Sequence, residues 1–137
     1  MTVRDFATFE TDVESLEPAE RTDEASPPGR MIAEHLVSRL RQTGADVSHE
    51  VSQWESYGWE FAVRSGNVTI SCMLQASDTW LLITSPARSL VDRLRGRAFP
   101  DQHEAVRRAL EEVLTSDPAI RRLRWYTRSE FQNGATG

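Results

Sequence analysis

Cysteine, lysine and long apolar runs are what this sequence most clearly lacks. Its single cysteine is Cys72, and all 16 of its basic residues are arginine. A lone thiol cannot form an internal disulfide, so the class of small disulfide-stabilised secreted domains is excluded. No apolar run approaches the roughly 20 residues that span a bilayer, and the N-terminus lacks the apolar core of a signal peptide. We therefore expect a cytoplasmic protein without a membrane partner.

Sequence motifs for a metal site or a catalytic nucleophile are also missing. The three histidines, His35, His49 and His103, are not at metal-ligand spacing, and there is no Cys-x-x-Cys pair. Cys72 shares the apolar face of a predicted strand, so we expect a buried, unreactive thiol. The sequence therefore predicts no catalytic residues, no metal and no cofactor. An enzyme remains the alternative if folding brings two of these side chains together with a carboxylate.

Acidic residues are concentrated at the N-terminal end of the chain. The formal net charge is −5, of which residues 1–28 carry −6 and the remainder +1. From Glu17 to Pro28 there is no apolar periodicity, and the composition is typical of a linker. Upstream, apolar residues recur every three or four positions, which fits either a short amphipathic helix or an edge strand. These residues are Val3, Phe6, Phe9, Val13 and Leu16.

The length of the chain suggests one domain. At 137 residues it is long enough for a core of its own and too short for two ordinary domains. We expect residues 1–28 to form an acidic, flexible leader that is dispensable for folding. Residues 29–128 are then the domain, and residues 129–137 a frayed tail.

Alternating apolar and polar residues between Val47 and Pro86 predict an antiparallel meander. The turn at residues 65–67 joins two of its strands as a hairpin. The four predicted strands are Val47–Trp54, Trp59–Arg64, Val68–Gln75 and Thr79–Thr84.

Two amphipathic helices flank this meander. Apolar residues at helical spacing predict the first helix over Gly29–Thr43, with Gly44 as its stop. Asp101 as a cap, Glu104 three residues later and a stop at Asp117 predict a longer second helix. Each has an apolar stripe that can cover the same sheet.

The remaining elements complete an α+β fold. A short connecting helix is expected over Ala87–Arg95, and Ala119–Thr127 alternates as a last strand. We predict a two-layer sandwich, an antiparallel meander sheet covered on one face by two helices, in the order α-β-β-β-β-(α)-α-β. Such folds host many functions, so the architecture alone decides none.

Aromatic residues are dense along the meander. Trp59 and Trp80 alternate with apolar residues and are expected in the core. Trp54 and Tyr57 flank a turn and are the better candidates for exposed partner contacts, since Trp and Tyr often anchor interfaces.

The last predicted strand carries the densest basic and aromatic stretch. Strict alternation places Leu123 and Trp125 on the core side. The opposite face then holds four candidate partner-binding residues, namely Arg122, Arg124, Tyr126 and Arg128. The favoured interpretation is an edge strand whose charges oppose aggregation. The alternative is a surface that binds an acidic protein or a nucleic-acid backbone.

Together these features favour a binding protein over an enzyme. A small acidic domain with an exposed sheet face is typical of an immunity protein, a secretion chaperone or an adaptor, and such proteins often form homodimers. In size and acidity the chain resembles secretion chaperones, although those are expected to end in a helix. We therefore expect a non-enzymatic protein-binding module whose partner is another protein, either as a monomer or as a homodimer.

Nucleic acid is the less favoured partner. One helix, three strands and a second helix is also the order of a double-stranded RNA-binding domain, which is expected to carry basic residues where its last helix begins. Here that position reads Asp101-Gln102-His103-Glu104, which has the wrong sign for phosphate.

Overall fold

A computed structural model describes residues 5–11, 29–47, 50–54, 58–66, 68–76, 79–86, 100–127 and 129–130. Within these ranges the chain forms seven strands and two helices. In chain order they are β1 (Phe6–Thr11), α1 (Arg30–Gln42), β2 (Asp46–Val47), β3 (Ser52–Trp54), β4 (Gly58–Ser65), β5 (Val68–Ala76), β6 (Trp80–Pro86), α2 (Pro100–Ser116) and β7 (Ile120–Tyr126).

The strands form one antiparallel sheet in the order β2-β4-β5-β6-β1-β7, and β3 pairs with β4 beside β2. Both helices share a single core with one face of this sheet. The predicted two-layer α+β sandwich is therefore confirmed. Neither of the two helices described is long and apolar enough to cross a membrane.

The register explains which side chains face the helices. Side chains of directly paired residues share a face, so each cross-strand row lies on one side of the sheet. One row beneath the helices runs across five strands through Trp59, Leu74, Leu82, Ala7 and Trp125. The neighbouring row lies on the opposite face and runs through Glu60, Met73, Ile83, Phe6 and Tyr126.

Strand β1 corrects the predicted domain boundary. It lies inside the sheet between β6 and β7, and both Ala7 and Phe9 are fully buried. Phe6–Thr11 are therefore part of the folded sheet and not of a leader outside it, and whether they are dispensable for folding stays a prediction. Of the two alternatives for this segment, the strand is correct, although it is a central strand and not an edge. Residues 12–28 lie outside the described residues.

The edge strand before the hairpin also differs from the prediction. Strands β4, β5 and β6 follow the predicted meander, but the predicted strand Val47–Trp54 is split into β2 and β3. Val47 pairs with Val63 and Ser52 pairs with Glu60, so the register against β4 shifts by two residues between β2 and β3. A register shift of this kind divides the edge into two short strands.

Both predicted helices are confirmed within a residue or so of their expected ends. Thr43 and Gly44 close α1 through bonds from their amides to the carbonyls of Leu40 and Arg41. Gly44 adopts φ 89°, the left-handed conformation that commonly ends a helix. The predicted connecting helix over Ala87–Arg95 lies outside the described residues.

Candidate functional site

One side of α1 borders an open groove of about 820 Å³, called here the α1 groove. Its helical wall is made of Arg30, Glu34, Val37, Ser38, Arg41 and Gln42. The lining is completed by Glu50 and Val51, which lie between β2 and β3 in the chain. The groove therefore lies where α1 passes the register shift between β2 and β3.

Helical spacing places the two arginines of the groove in one row. Arg30 and Arg41 are eleven positions apart, which is close to three turns and about 16 Å along the axis. Val37 lies in the same row and is buried, so it contributes an apolar floor between the two cations. Both arginines and Glu50 are exposed. The lining thus offers two positive and two negative charges along an apolar strip.

Arg30 is held in place by two neighbours. Its Nε donates a hydrogen bond of 3.1 Å to Oε1 of Glu34, one turn along the helix. Its guanidinium carbon also lies 5.6 Å from the ring centre of the buried Trp59, within the range of a cation–π contact. An exposed ion pair of this kind contributes about 0.5 kcal/mol. Breaking the ion pair between Arg30 and Glu34 therefore costs little free energy, and the contact with the Trp59 ring still holds the Arg30 side chain in position.

The aromatic residues predicted to contact a partner are only partly described. The backbone of Trp54 belongs to β3 and pairs with Gly58. The side chain of Trp54 and the whole of Tyr57 lie outside the described residues. Trp59 and Trp80 are buried in the core, as the sequence predicted.

The arginines of β7 are not arranged as strict alternation predicts. Arg122 has φ 55° and sits at a bulge, where two residues of β7, Arg122 and Leu123, stand opposite one residue of β1. Thr8 pairs with Arg124 and Glu10 pairs with Arg121, so Arg121 and not Arg122 shares the face of Arg124. The Arg122 side chain is 81% exposed and forms a 3.5 Å ion pair with Glu10.

Tyr126 was wrongly predicted to be an exposed contact. It is 6% exposed and clusters with Phe6 and Leu81 on the sheet face opposite the helices. The prediction failed because it treated the face beside Arg124 as fully solvated, whereas β1 places Phe6 directly opposite Tyr126. The predicted core positions Leu123 and Trp125 do pack against the main core. Arg128 lies outside the described residues.

One histidine pairs with a buried carboxylate that the sequence did not connect to it. Nε2 of His35 lies 2.5 Å from Oδ2 of Asp117, and the amide of Ala119 donates to Oδ1 at 2.9 Å. Arg39 places its Nε 3.9 Å from the same carboxylate. Burial alone would raise the pKa of Asp117, but the hydrogen bonds from Ala119 and His35 and the positive charge of Arg39 together hold it below its ordinary value. The pair joins α1 to the end of α2.

A second histidine is internal. Nε2 of His103 lies 2.7 Å from Oγ1 of Thr84, and that hydroxyl donates to the carbonyl of Asp5. Because the hydroxyl hydrogen is used there, the ring is the donor in the first bond. Burial lowers the pKa of His103 and outweighs the opposing charge of Asp5, so the ring is neutral at neutral pH.

The remaining candidates for chemistry are separated. Cys72 is fully buried, and burial raises the pKa of its thiol far above the usual range. His49 lies outside the described residues. Within the described ranges, no three His, Cys, Asp or Glu side chains are grouped so that they could hold a metal ion.

Four charged residues of the α1 groove were missed by the sequence analysis, namely Arg30, Glu34, Arg41 and Glu50. The spacing of Arg30 and Arg41 along one helix was a visible signal, whereas the position of Glu50 depends on the split edge strand.

Comparison of the chain with protein-family models, with curated proteins and with solved structures finds no match.

Proposed function

We propose that the protein is a non-enzymatic binding module that holds a short extended segment of a partner protein in the α1 groove. The observation that carries this proposal is the groove itself, an open channel with an apolar floor and charges of both signs along its walls. Side chains of this kind can bind the polar main chain and the charged side chains of a peptide. We propose a cytoplasmic partner, because the single cysteine is a free thiol, as is usual for proteins of a reducing compartment.

The dimensions of the groove favour a peptide. The row from Arg30 to Arg41 is about 16 Å long, which equals about five residues of extended chain at roughly 3.3 Å each. Pockets for small apolar ligands are usually enclosed and lined mainly by apolar side chains. The α1 groove is open, and six of its eight lining residues are polar or charged. It therefore suits a solvated segment better than a buried small molecule.

The β7 surface supports a nucleic-acid or anionic partner less well. Glu10 lies against Arg122 and offsets part of its charge. Tyr126 is buried and faces apolar neighbours, so it does not offer a surface on which a base can stack. The bulge and the exposed arginines instead match the devices that protect a sheet edge from pairing with another chain.

Selection from a display library of random peptides tests the proposal. Wild-type protein is the target, and the selected peptides are then measured against Ser38→Trp, which fills the groove from an exposed helical position. Ala105→Trp is the matched control, since Ala105 is an exposed position of α2 outside the groove. We expect Ser38→Trp to weaken binding at least about tenfold and the control to leave it unchanged.

Two results contradict this proposal. One is a selection that enriches no peptide binding the wild-type protein. The other is a set of peptides that bind Ser38→Trp as well as they bind the wild type, because such peptides occupy another surface.

A further inference from the structure

We infer that the sheet face opposite the helices binds the segment of this chain that follows β7, with Phe131 as the residue that contacts it. The contact surface, called here the open-face cluster, consists of Phe6, Leu81 and Tyr126, with Ile83 packed against them. Phe131 lies outside the described residues, which end at Glu130. This contact is independent of the proposed function, because the α1 groove runs along a helix on the other face of the sheet.

The open-face cluster is more deeply buried than the described elements explain. Phe6, Leu81 and Tyr126 are only 8%, 4% and 6% exposed. Both described helices pack on the other face, and an antiparallel sheet without a second layer leaves such side chains in contact with water. Tyr126 also lies on β7, an edge strand, so a neighbouring strand shields it from one side only. Another part of the chain must therefore cover this face.

The residues after β7 start a helix beside the open-face cluster. The amide of Thr127 donates a hydrogen bond of 2.9 Å to Oε1 of Glu130, and the amide of Glu130 donates one of 3.1 Å to Oγ1 of Thr127. These reciprocal bonds form a capping box, in which Thr127 is the N-cap. Ser129 and Glu130 are helical. A helix therefore begins directly after Tyr126, which is a member of the cluster.

The capping box specifies which residue meets the cluster. Helices that begin in this way often carry a hydrophobic staple, a contact between the residue before the N-cap and the fourth residue of the helix. With Thr127 as the N-cap, these two residues are Tyr126 and Phe131. Phe131 is also the only large apolar side chain between residues 127 and 137. Its ring is therefore the side chain of this segment that can add apolar cover to Tyr126 and its neighbours.

Nuclear Overhauser effects measured on the full chain test this contact directly. The methyl groups of leucine and isoleucine are isotopically labelled, and Phe131→Ala identifies the ring signals of Phe131 by their loss. We expect cross-peaks between the Phe131 ring and the methyl groups of Leu81 or Ile83. A Phe131 ring that shows no cross-peak to any member of the open-face cluster overturns the inference.

Thermal melts of point variants test whether the contact stabilises the fold. Phe131→Ala is expected to lower the melting temperature by about 5 °C, because a buried aromatic contact is lost. Thr127→Ala removes the cap and is expected to lower it by about 3 °C, whereas Thr127→Ser keeps the cap and stays near the wild type. Ser129→Ala is the matched control, since Ser129 is an exposed residue of the same turn.

The combination of the two variants completes the test. If the cap positions Phe131, Thr127→Ala and Phe131→Ala together lower the melting temperature by less than the sum of their separate effects. A Phe131→Ala protein that melts like the Ser129→Ala control contradicts the inference. In that case the open-face cluster is covered by a different segment of the chain, such as residues 12–28 or 87–99.

Discussion

Nε2 of His35 lies 2.5 Å from Oδ2 of Asp117, so a side chain of α1 is bound directly to the residue that follows α2. Asp117 is 6% exposed and His35 is one-third exposed, which places the bond at the border between core and solvent. The wall of the α1 groove and the His35 contact are parts of the same helix. The His35–Asp117 bond therefore helps to fix the helix that carries the proposed binding residues.

Asp117→Ala is predicted to lower the free energy of unfolding by about 2 kcal/mol, because the amide of Ala119 and His35 lose a buried acceptor and Arg39 loses a nearby negative charge. His35→Ala is predicted to cost about 1 kcal/mol, since Asp117 keeps its other donors. Urea unfolding of both single variants and the double variant measures the coupling. Glu112→Ala, an exposed change on α2, is the control. Strictly additive losses for His35 and Asp117 would show that the bond contributes nothing.

The second prediction concerns stability against pH and His103. Burial lowers the pKa of this ring in the folded protein, so the unfolded chain takes up the proton first as pH falls. The stability contributed by the neutral ring is complete above its ordinary pKa of about 6.5 and is lost as pH falls through the lower folded value. Asp5 and Glu104 favour the charged ring and Arg107 opposes it, but burial has the largest effect.

His103→Gln separates this titration from all others, because glutamine can still donate to Thr84 but does not ionise. The difference in free energy of unfolding between wild type and variant is measured from pH 8 to about pH 5, a range that brackets the ordinary histidine pKa. We expect the free energy of unfolding of the wild type to fall relative to that of the variant as pH falls below about 6.5. A difference that stays constant over this range contradicts the prediction.

The sequence predicted the helices, the hairpin strands and the fold class because each has a strong local pattern. Helix α1 has apolar residues at helical spacing and Gly44 at its end, and β4 and β5 alternate without interruption. Such patterns are decided by residues that are close in sequence, so they can be read without knowing the tertiary structure.

The α1 groove was not predictable in the same way. Val47, His49, Val51 and Gln53 alternate with Ser48, Glu50 and Ser52 along the predicted strand, so nothing local marks the division between β2 and β3. The division is seen only in the pairing, since the register against β4 shifts by two residues between Val47 and Ser52. Likewise, the bond from His35 to Asp117 joins residues 82 positions apart, and no spacing rule connects them.

A third prediction compares two glycines with positive φ. An added Cβ at Gly29 lies 2.8 Å from the Trp80 ring, whereas at Gly44 it meets no atom within 4 Å. Gly44→Ala carries only the cost of the left-handed backbone, about 1 kcal/mol. Gly29→Ala adds the displacement of a buried Trp ring and is predicted to cost about 2 to 3 kcal/mol. Equal losses of stability for Gly29→Ala and Gly44→Ala in thermal or urea unfolding would mean that the Trp80 ring can move aside without loss of stability.

Strand β1 could not be predicted unambiguously from the sequence around it. Its apolar residues also fit a helical spacing when Val3, Val13 and Leu16 are included, and the acidic residues around them resemble those of a linker. The strand is only six residues long, and its two neighbours, β6 and β7, are distant in sequence. Its place in the sheet is therefore decided by long-range pairing.

The fourth prediction tests whether β1 is essential to the core. Phe9 is fully buried on the helix-covered face, and Phe9→Ala is predicted to lower the free energy of unfolding by about 3 to 4 kcal/mol through lost burial and the cavity it leaves. Thr8→Ala is the matched control, because Thr8 lies on the opposite face of the same strand and is only partly buried. Its predicted cost is below about 1 kcal/mol. Equal, small losses for both variants would restore the view that this segment is dispensable for folding.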